Sequence, residues 1–225
     1  MLYIFTHRTL ALLRWDLHLV WIRFRNWVLF EKRGLLRKIA DAGRPIYLNL
    51  GSGPRGLADS HWINVDCYAD TNVHYLMDFN RKWSFPDNCF DGIFCEHVLE
   101  HFDYEQGQVL LRECWRVLGV GGCLRIIVPD GAKIMKTYFE NPGEFPSCLT
   151  RVTSCPMEAV NSYFRQRYEH QYMYDWQVLA HQLRRVGYTQ IAQTSFQQGT
   201  VSLAILLDDK KYQWESLYVE AVKTV

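Results

Sequence analysis

A chain of 225 residues, 48% hydrophobic and 22% charged, is long enough to bury one core, and it shows no repeat or low-complexity tract. A formal net charge of +1 lacks the bulk basicity of nucleic-acid binders, so no nucleic-acid partner is expected. Seven cysteines, with no C-x-x-C pair, argue against a disulfide framework or a zinc site, and Cys67, Cys95 and Cys123 read as small buried hydrophobes of a reducing, cytoplasmic compartment.

Residues 1–44 stand apart as a basic amphipathic helical segment. Residues 1–40 carry eight Lys or Arg against Asp16 and Glu31, so this stretch is at +6 and the remaining residues sum to −5. From Thr9 to Lys38, Leu10, Leu13, Leu17, Val20, Trp21, Phe24, Trp27 and Val28 recur at helical spacing. Arg14, Asp16, Arg23 and Arg25 interrupt any run before it reaches the roughly 18 residues of a membrane span. They also break up the apolar region a signal peptide would need. Two readings stand: one or two helices packing on the body or over its ligand pocket, or a Trp-rich helix lying peripherally on the inner face of an anionic membrane.

Gly43-Arg44-Pro45 opens the main domain, residues 45–225. Strand patterns fall at about 46–50, 62–66, 73–77, 90–95 and 123–128, with a long helix over Tyr104–Leu118 stopped by Gly119 to Gly122. Strands alternating with helices predict a doubly wound parallel α/β sheet, whose ligands bind outside the carboxyl ends of the strands. Gly51, Asp66, Asp78 and Glu96 each fall just past a predicted strand. Residues 131–172 change rhythm, with helical patterns at about 133–140 and 157–168 and no strand, as a substrate cap would. Asp175–Val186 reads as a helix capped by Asp175 and ended by Gly187. Tyr188–Phe196 and Thr200–Leu207, joined by Gln-Gln-Gly, predict an antiparallel hairpin; the tail from Lys210 carries no firm assignment.

Gly51-Ser-Gly53-Pro-Arg-Gly56 satisfies G-x-G-x-x-G, a weak signal by itself. Pro54 and the short connection to Trp62 leave little room for the long helix that holds a pyrophosphate, and no Gly-Lys-Ser/Thr follows for a P-loop. The segments Leu48-Asn-Leu-Gly-Ser-Gly-Pro54, Trp62-Ile-Asn-Val-Asp66, Asp78-Phe79 and Phe85 to His101 resemble those of class I S-adenosylmethionine-dependent methyltransferases, as do Leu111 to Leu118 and Gly121 to Pro129. His170-Gln-Tyr-Met-Tyr-Asp175 and the helix end at Leu183–Gly187 resemble a subset of polysaccharide and glycan biosynthesis.

The resemblance implies a seven-stranded sheet of order 3-2-1-4-5-7-6, mostly parallel with strand 7 antiparallel, and helices on both faces. It implies S-adenosylmethionine as cofactor: Gly51, Ser52 and Gly53 passing under its methionine portion, Asp66 with the neighbouring Cys67 at the ribose, Asp78 and Phe79 at the adenine, and Glu96 near the reacting centre. Asn49 stands where many members have an acid, so it can orient water but supplies no charge. Expected chemistry is in-line methyl transfer, to oxygen more than to nitrogen, on a small-molecule or glycan acceptor. Rival readings are the same fold without turnover, and a nicotinamide-dependent oxidoreductase.

Methyl transfer needs alignment and loss of the acceptor's proton. His97, Glu100 and His101 sit at i, i+3 and i+4 and would share one face of a helix. They read as a divalent-metal trio, as a general base centred on His101 with Glu100, or as a local helix-start motif. Some ubiquinone-pathway methyltransferases carry a metal-binding Glu-x-x-Glu-His here, but Glu96 is one residue out of register for that pattern. His101 is taken as the catalytic residue and no metal is assigned. His170, Tyr172 and Tyr174 are further candidates for the acceptor side.

Overall fold

Buried residues occupy both faces of β1 (Tyr47–Leu50), β2 (Trp62–Asp66) and β4 (Phe90–Glu96), the signature of strands covered on both sides. In the computed structural model, which describes residues 7–29, 31–147, 155–166, 169–200 and 203–225, these strands run parallel with β3 (Tyr75–Leu76) and β5 (Leu118–Pro129). β7 (Ser216–Val222) runs antiparallel between β5 and β6 (Gln190–Thr194). The order is β3-β2-β1-β4-β5-β7-β6, the expected topology.

The closing hairpin is built from different residues than the sequence suggests. β6 falls within the predicted Tyr188–Phe196, but its partner is β7, from the unassigned tail. Of the predicted second strand, 201 and 202 lie outside the described residues, and Leu203–Ile205 form a 3-10 turn. The cause is Arg125, buried in the middle of β5. Its guanidinium pairs with Asp208 (Nε to Oδ1 2.7 Å) and Glu220 (3.1 Å), and donates to the carbonyls of Ser195 (3.0 Å) and Gln198 (3.2 Å). Glu220 faces it from β7, while Ser195, Gln198 and Asp208 come from chain folded back over the sheet, which a regular strand over the same residues would not supply.

One face of the sheet is packed by α3 (Tyr104–Val117) and α6 (Trp176–Val186), whose Leu110, Leu111, Leu179 and Leu183 join Leu48, Leu50, Ile93 and Ile126 in the main core. Asp103 starts α3 in a capping box with Gln106, and Asp175 caps α6 through Val178 N–H (2.8 Å). On the opposite face Trp62, Phe94, Ile127 and Tyr218 lie under Leu57, Ile205 and Leu207, carried by loops and 3-10 turns. Residues after β5 form α4 (Gly131–Glu140), a 3-10 segment at Pro142–Ser147 and α5 (Pro156–Arg165); residues 167–168 of the predicted second helix lie outside the described residues. Ile134, Phe145, Ala159, Val160 and Tyr163 make a separate small core there, closed by Trp214 just before β7.

The N-terminal pattern resolves into α1 (His7–Val28) and α2 (Glu31–Ala42). α1 docks on the β3 edge through Leu19 and Ile22, against Leu76 and Val73. The apolar stripe picked out by spacing does not face the body: Leu10, Leu13, Leu17, Val20, Trp21, Phe24, Trp27 and Val28 are all exposed, Trp27 at 74%. Among the described residues no helix is long and apolar enough to cross a membrane.

Removing the cation from the Arg125 cluster leaves two buried carboxylates uncompensated. Arg125→Ala is expected to cost about 3–5 kcal/mol of stability in urea unfolding. A loss under about 1 kcal/mol would show that packing, not charge, holds Ser195, Gln198 and Asp208 against the sheet.

Candidate functional site

The chain leaves β1 at Leu50 and turns at once. Gly51 has φ +63°, and a Cβ there would collide with Val98 Cγ2, so backbone conformation and space both demand glycine. Ser52 N–H is held by the Val65 carbonyl (3.1 Å), while Ser52 Oγ is buried without a hydrogen-bond partner among the described residues. Gly53 N–H donates to Asp66 Oδ2 (2.8 Å) and Tyr68 N–H donates to Oδ1 (2.9 Å). Asp66 at the tip of β2 therefore pins both loops, and each of its oxygens keeps a second lone pair.

A cavity of about 180 Å³ opens beside this turn, lined among others by Asn49, Gly51, Ser52, Arg55 and Glu96. Asn49 is buried and its amide donates to Asn64 Oδ1 (3.3 Å). Glu96 ends β4, forms an ion pair with Arg55, and accepts from Asp209 N–H (2.9 Å). Arg55 also reaches Asp209 Oδ2 (3.2 Å), so one cation bridges two acids at the cavity mouth. Arg55, Leu207 and Asp209 carry no motif that the sequence reading assigns to the site. Arg55 was legible only as a cation inside the glycine turn.

Further along the same edge, Asp78 is nearly buried, accepts from Asn80 N–H (3.0 Å) and lies 3.5 Å from Arg23 of α1 and 3.7 Å from Arg81. Phe79 points into the main core, edge-on to Trp83 and Phe102. The Cys67 carbonyl accepts from His18 Nε2 (2.8 Å), and His18 stacks on Tyr68 with ring centroids 4.8 Å apart. Burial, reinforced by the Asp66 charge, pushes the Cys67 thiol far above its usual range, which disfavours the thiolate. α1 thus closes the side of the site at β2 and β3.

The segment after β4 does not form the shared α-helical face that its spacing suggests. His97 takes φ +52°, and a 3-10 turn begins only at Leu99–His101. His97 is turned toward Ser216 Oγ (Nε2, 2.9 Å) and stacks on Tyr212, with centroids 4.0 Å apart. Its Nδ1 lies 3.1 Å from Glu100 Oε1. This buried pair engages Glu100 Oε1, while Oε2 has no hydrogen-bond partner among the described residues. Burial disfavours the His97 cation, but Glu100 outweighs it and raises His97 above the usual histidine range. Burial likewise opposes ionisation of Glu100, yet His97, then His101 and His170, hold its carboxyl below the usual range. His101 instead meets His170, their rings T-shaped with centroids 5.0 Å apart. Burial lowers His170. Glu100, His101 and His170 place one potential ligand atom each within 4.8 Å of one another.

Residues 65–126 match the family described as a methyltransferase domain. Among solved structures, 1,6-didemethyltoxoflavin-N1-methyltransferase of Burkholderia thailandensis, solved with 1,6-didemethyltoxoflavin and S-adenosylhomocysteine bound, is 16% identical. That alignment covers 100% of this chain and 93% of that one, with a TM-score of 0.50. A SAM-dependent methyltransferase from Archaeoglobus fulgidus is 17% identical over 85% of this chain and 92% of its own, with a TM-score of 0.48. No curated protein matches the chain in sequence. The structural likeness concerns the fold, and the match over β2 to β5 concerns the domain type.

The two glycines of the turn separate space from conformation. Gly51→Ala meets both the positive φ and Val98, whereas Gly53 (φ +48°) faces open space. An alanine in left-handed backbone costs roughly 1–2 kcal/mol. Gly51→Ala is therefore expected to lose at least about 1 kcal/mol more than Gly53→Ala in urea unfolding; equal losses would show that Val98 yields.

Proposed function

We propose that this S-adenosylmethionine-dependent methyltransferase transfers the methyl group to a hydroxyl of a small-molecule or glycan acceptor. What carries the reading is the turn at Gly51, which has no room for a side chain, next to the Asp66 carboxylate and the unpartnered Ser52 hydroxyl. A nucleoside-bearing ligand needs such a close backbone approach and two-oxygen acceptor at neighbouring strand tips. The bound cofactor supplies a methyl group that is already electrophilic. The protein's own residues bind and orient it: Gly51, Ser52 and Gly53 beneath the methionine portion, with Asn49 and the Arg55–Glu96 pair beside it. Asp66 takes the ribose hydroxyls with Cys67 alongside, and Asp78 bounds the adenine end, with the Phe79 ring supporting it from the core.

Glu100 and His101 are the catalytic residues of this proposal, charged with the acceptor's proton. They lie where β4 ends and the cap returns through His170 and Tyr172; Tyr174, read from the sequence as a third acceptor-side candidate, is instead buried in the main core. Aromatic faces and hydroxyls there suit a sugar, a phenol or a headgroup. The cap, residues 131–172, supplies the remaining acceptor wall.

A thermal-shift comparison tests the cofactor. S-adenosylhomocysteine at 100 times its dissociation constant should stabilise the protein by about 2.7 kcal/mol, NAD should not, and Asp66→Ala should abolish the effect. Stabilisation by NAD alone would assign the chain to an oxidoreductase; S-adenosylhomocysteine binding without turnover on acceptor panels would make it a binding module.

The outward stripe of α1 favours a peripheral membrane location for this domain. Leu17, Val20, Phe24 and Trp27 present large apolar surface, and Arg14, Lys32, Arg37 and Lys38 add positive charge nearby. An interfacial helix buries its apolar face among anionic headgroups while its cations meet them. The full chain should sediment with phosphatidylserine-containing vesicles, and Phe24→Asp with Trp27→Asp should release it. Wild-type protein left in the supernatant would overturn this reading.

A further inference from the structure

We propose that Glu100, His101 and His170 form a binding site for one divalent transition-metal ion, of the zinc type, at the carboxyl edge of the sheet. This is not the His97, Glu100, His101 trio that the sequence spacing offers, because both ring nitrogens of His97 are engaged, Nε2 by Ser216 Oγ and Nδ1 by Glu100 itself. The third member comes instead from the chain returning from the cap. Two backbone bonds fix that return, Gln171 N–H (2.8 Å) and Tyr172 N–H (3.2 Å) donating to the Glu100 carbonyl.

Three observations point to an ion. The first is Glu100, fully buried: His97 Nδ1 lies 3.1 Å from its Oε1, while Oε2 has no hydrogen-bond partner among the described residues. Buried carboxylates are normally hydrogen-bonded, paired on both oxygens or bound to a metal. The second is the orientation of the imidazoles. His170 Nδ1 lies 2.6 Å from the Tyr163 carbonyl and His101 Nδ1 lies 3.2 Å from the Glu169 carbonyl. A carbonyl only accepts, so each Nδ1 carries the proton and each Nε2 keeps its lone pair. That is how backbone carbonyls orient metal-bound histidines.

The third observation is the donor set. Two imidazoles and one carboxylate suit zinc and its neighbours, and three protein ligands leave a coordination position open. The ligand atoms lie within 4.8 Å of one another. Reaching bond lengths of about 2.0–2.2 Å requires each to move inward by roughly 1 Å or less, within reach of side-chain rotation. None of the ligands is a cysteine, so cysteine spacing carries no sign of the site.

The binding claim stands on these residues alone; only its consequence rests on the methyl-transfer reading. An ion there would act as a Lewis acid on the acceptor hydroxyl, so that the hydroxyl's proton leaves to solvent. Glu100 and His101 then serve the acceptor's proton as ligands of the ion.

The test uses the full chain, stripped with chelator and titrated with Co(II) or Zn(II). Wild type should bind one equivalent, with Co(II) giving visible d–d absorption. His170→Gln and His101→Gln should weaken binding at least tenfold while far-UV circular dichroism stays unchanged. Cys155→Ser, which alters an exposed free thiol, should bind as wild type does. No stoichiometric binding by wild type, undiminished binding by His170→Gln, or loss of binding in Cys155→Ser would each overturn the proposal. S-adenosylhomocysteine thermal shifts on the same samples keep the two readings apart: metal binding without cofactor binding sinks only the methyl-transfer reading, and the reverse sinks only the metal.

Discussion

The candidate site of this protein depends on one carboxylate. Asp66 receives Gly53 N–H on one oxygen and Tyr68 N–H on the other, tying the turn after β1 to the loop after β2. Hydrogen bonds to a charged acceptor contribute about 1.5–3 kcal/mol each. Here they act on two loops that the Asn72 side chain also ties together further out, donating to the Gly56 carbonyl (3.0 Å). Gly51 can turn tightly under Val98 because the next residues are held in place from outside, and Tyr68 can carry the His18 stack because its own backbone is fixed. Two acceptor directions on Asp66 remain for a ligand's hydroxyls. The residue that organises the site is thus also free to bind.

The sheet was readable where side-chain pattern and chemistry agree. Tyr47–Leu50, Trp62–Asp66 and Phe90–Glu96 are apolar runs ended by glycine or an acid, and each is found as a strand. The pattern misleads where a charge is buried. Arg125 and Glu220 interrupt their strands as polar residues, but they face each other across β5 and β7 at 3.1 Å. A reading one segment at a time sees a charged residue inside a weak strand in the tail, and prefers the smoother run at 200–207. Periodicity likewise identified the apolar stripe of α1 without its direction. Leu19 and Ile22 form a second apolar line, and only the packed structure shows that this one meets the body.

The site behaved in the same way. Gly51, Ser52, Gly53, Asp66 and Glu96 sit at strand ends, so topology alone brings them to one edge. Arg55 and Asp209, and the meeting of His101 with His170, depend on how long loops return, which no local spacing encodes. The positive φ at His97 is decisive there. It breaks the helical phase on which the His97, Glu100, His101 grouping was based, and the cap brings His170 alongside Glu100 and His101.

α1 joins these features mechanically. Its inner side carries His18 to the Cys67 carbonyl, Asn26 to the Leu76 carbonyl (2.7 Å) and Arg23 toward Asp78, three contacts along the ends of β2 and β3. Its outer side carries Leu17, Val20, Phe24 and Trp27. A helix with its side chains is only about 10–12 Å across. Whatever the outer stripe rests on therefore lies within one helix diameter of the Asp66–Asp78 edge, and the helix cannot be displaced without breaking bonds to that edge. The Asp66–Asp78 edge and the apolar surface meet the two sides of one element, so a surface that holds α1 also acts on the wall of the proposed cofactor site.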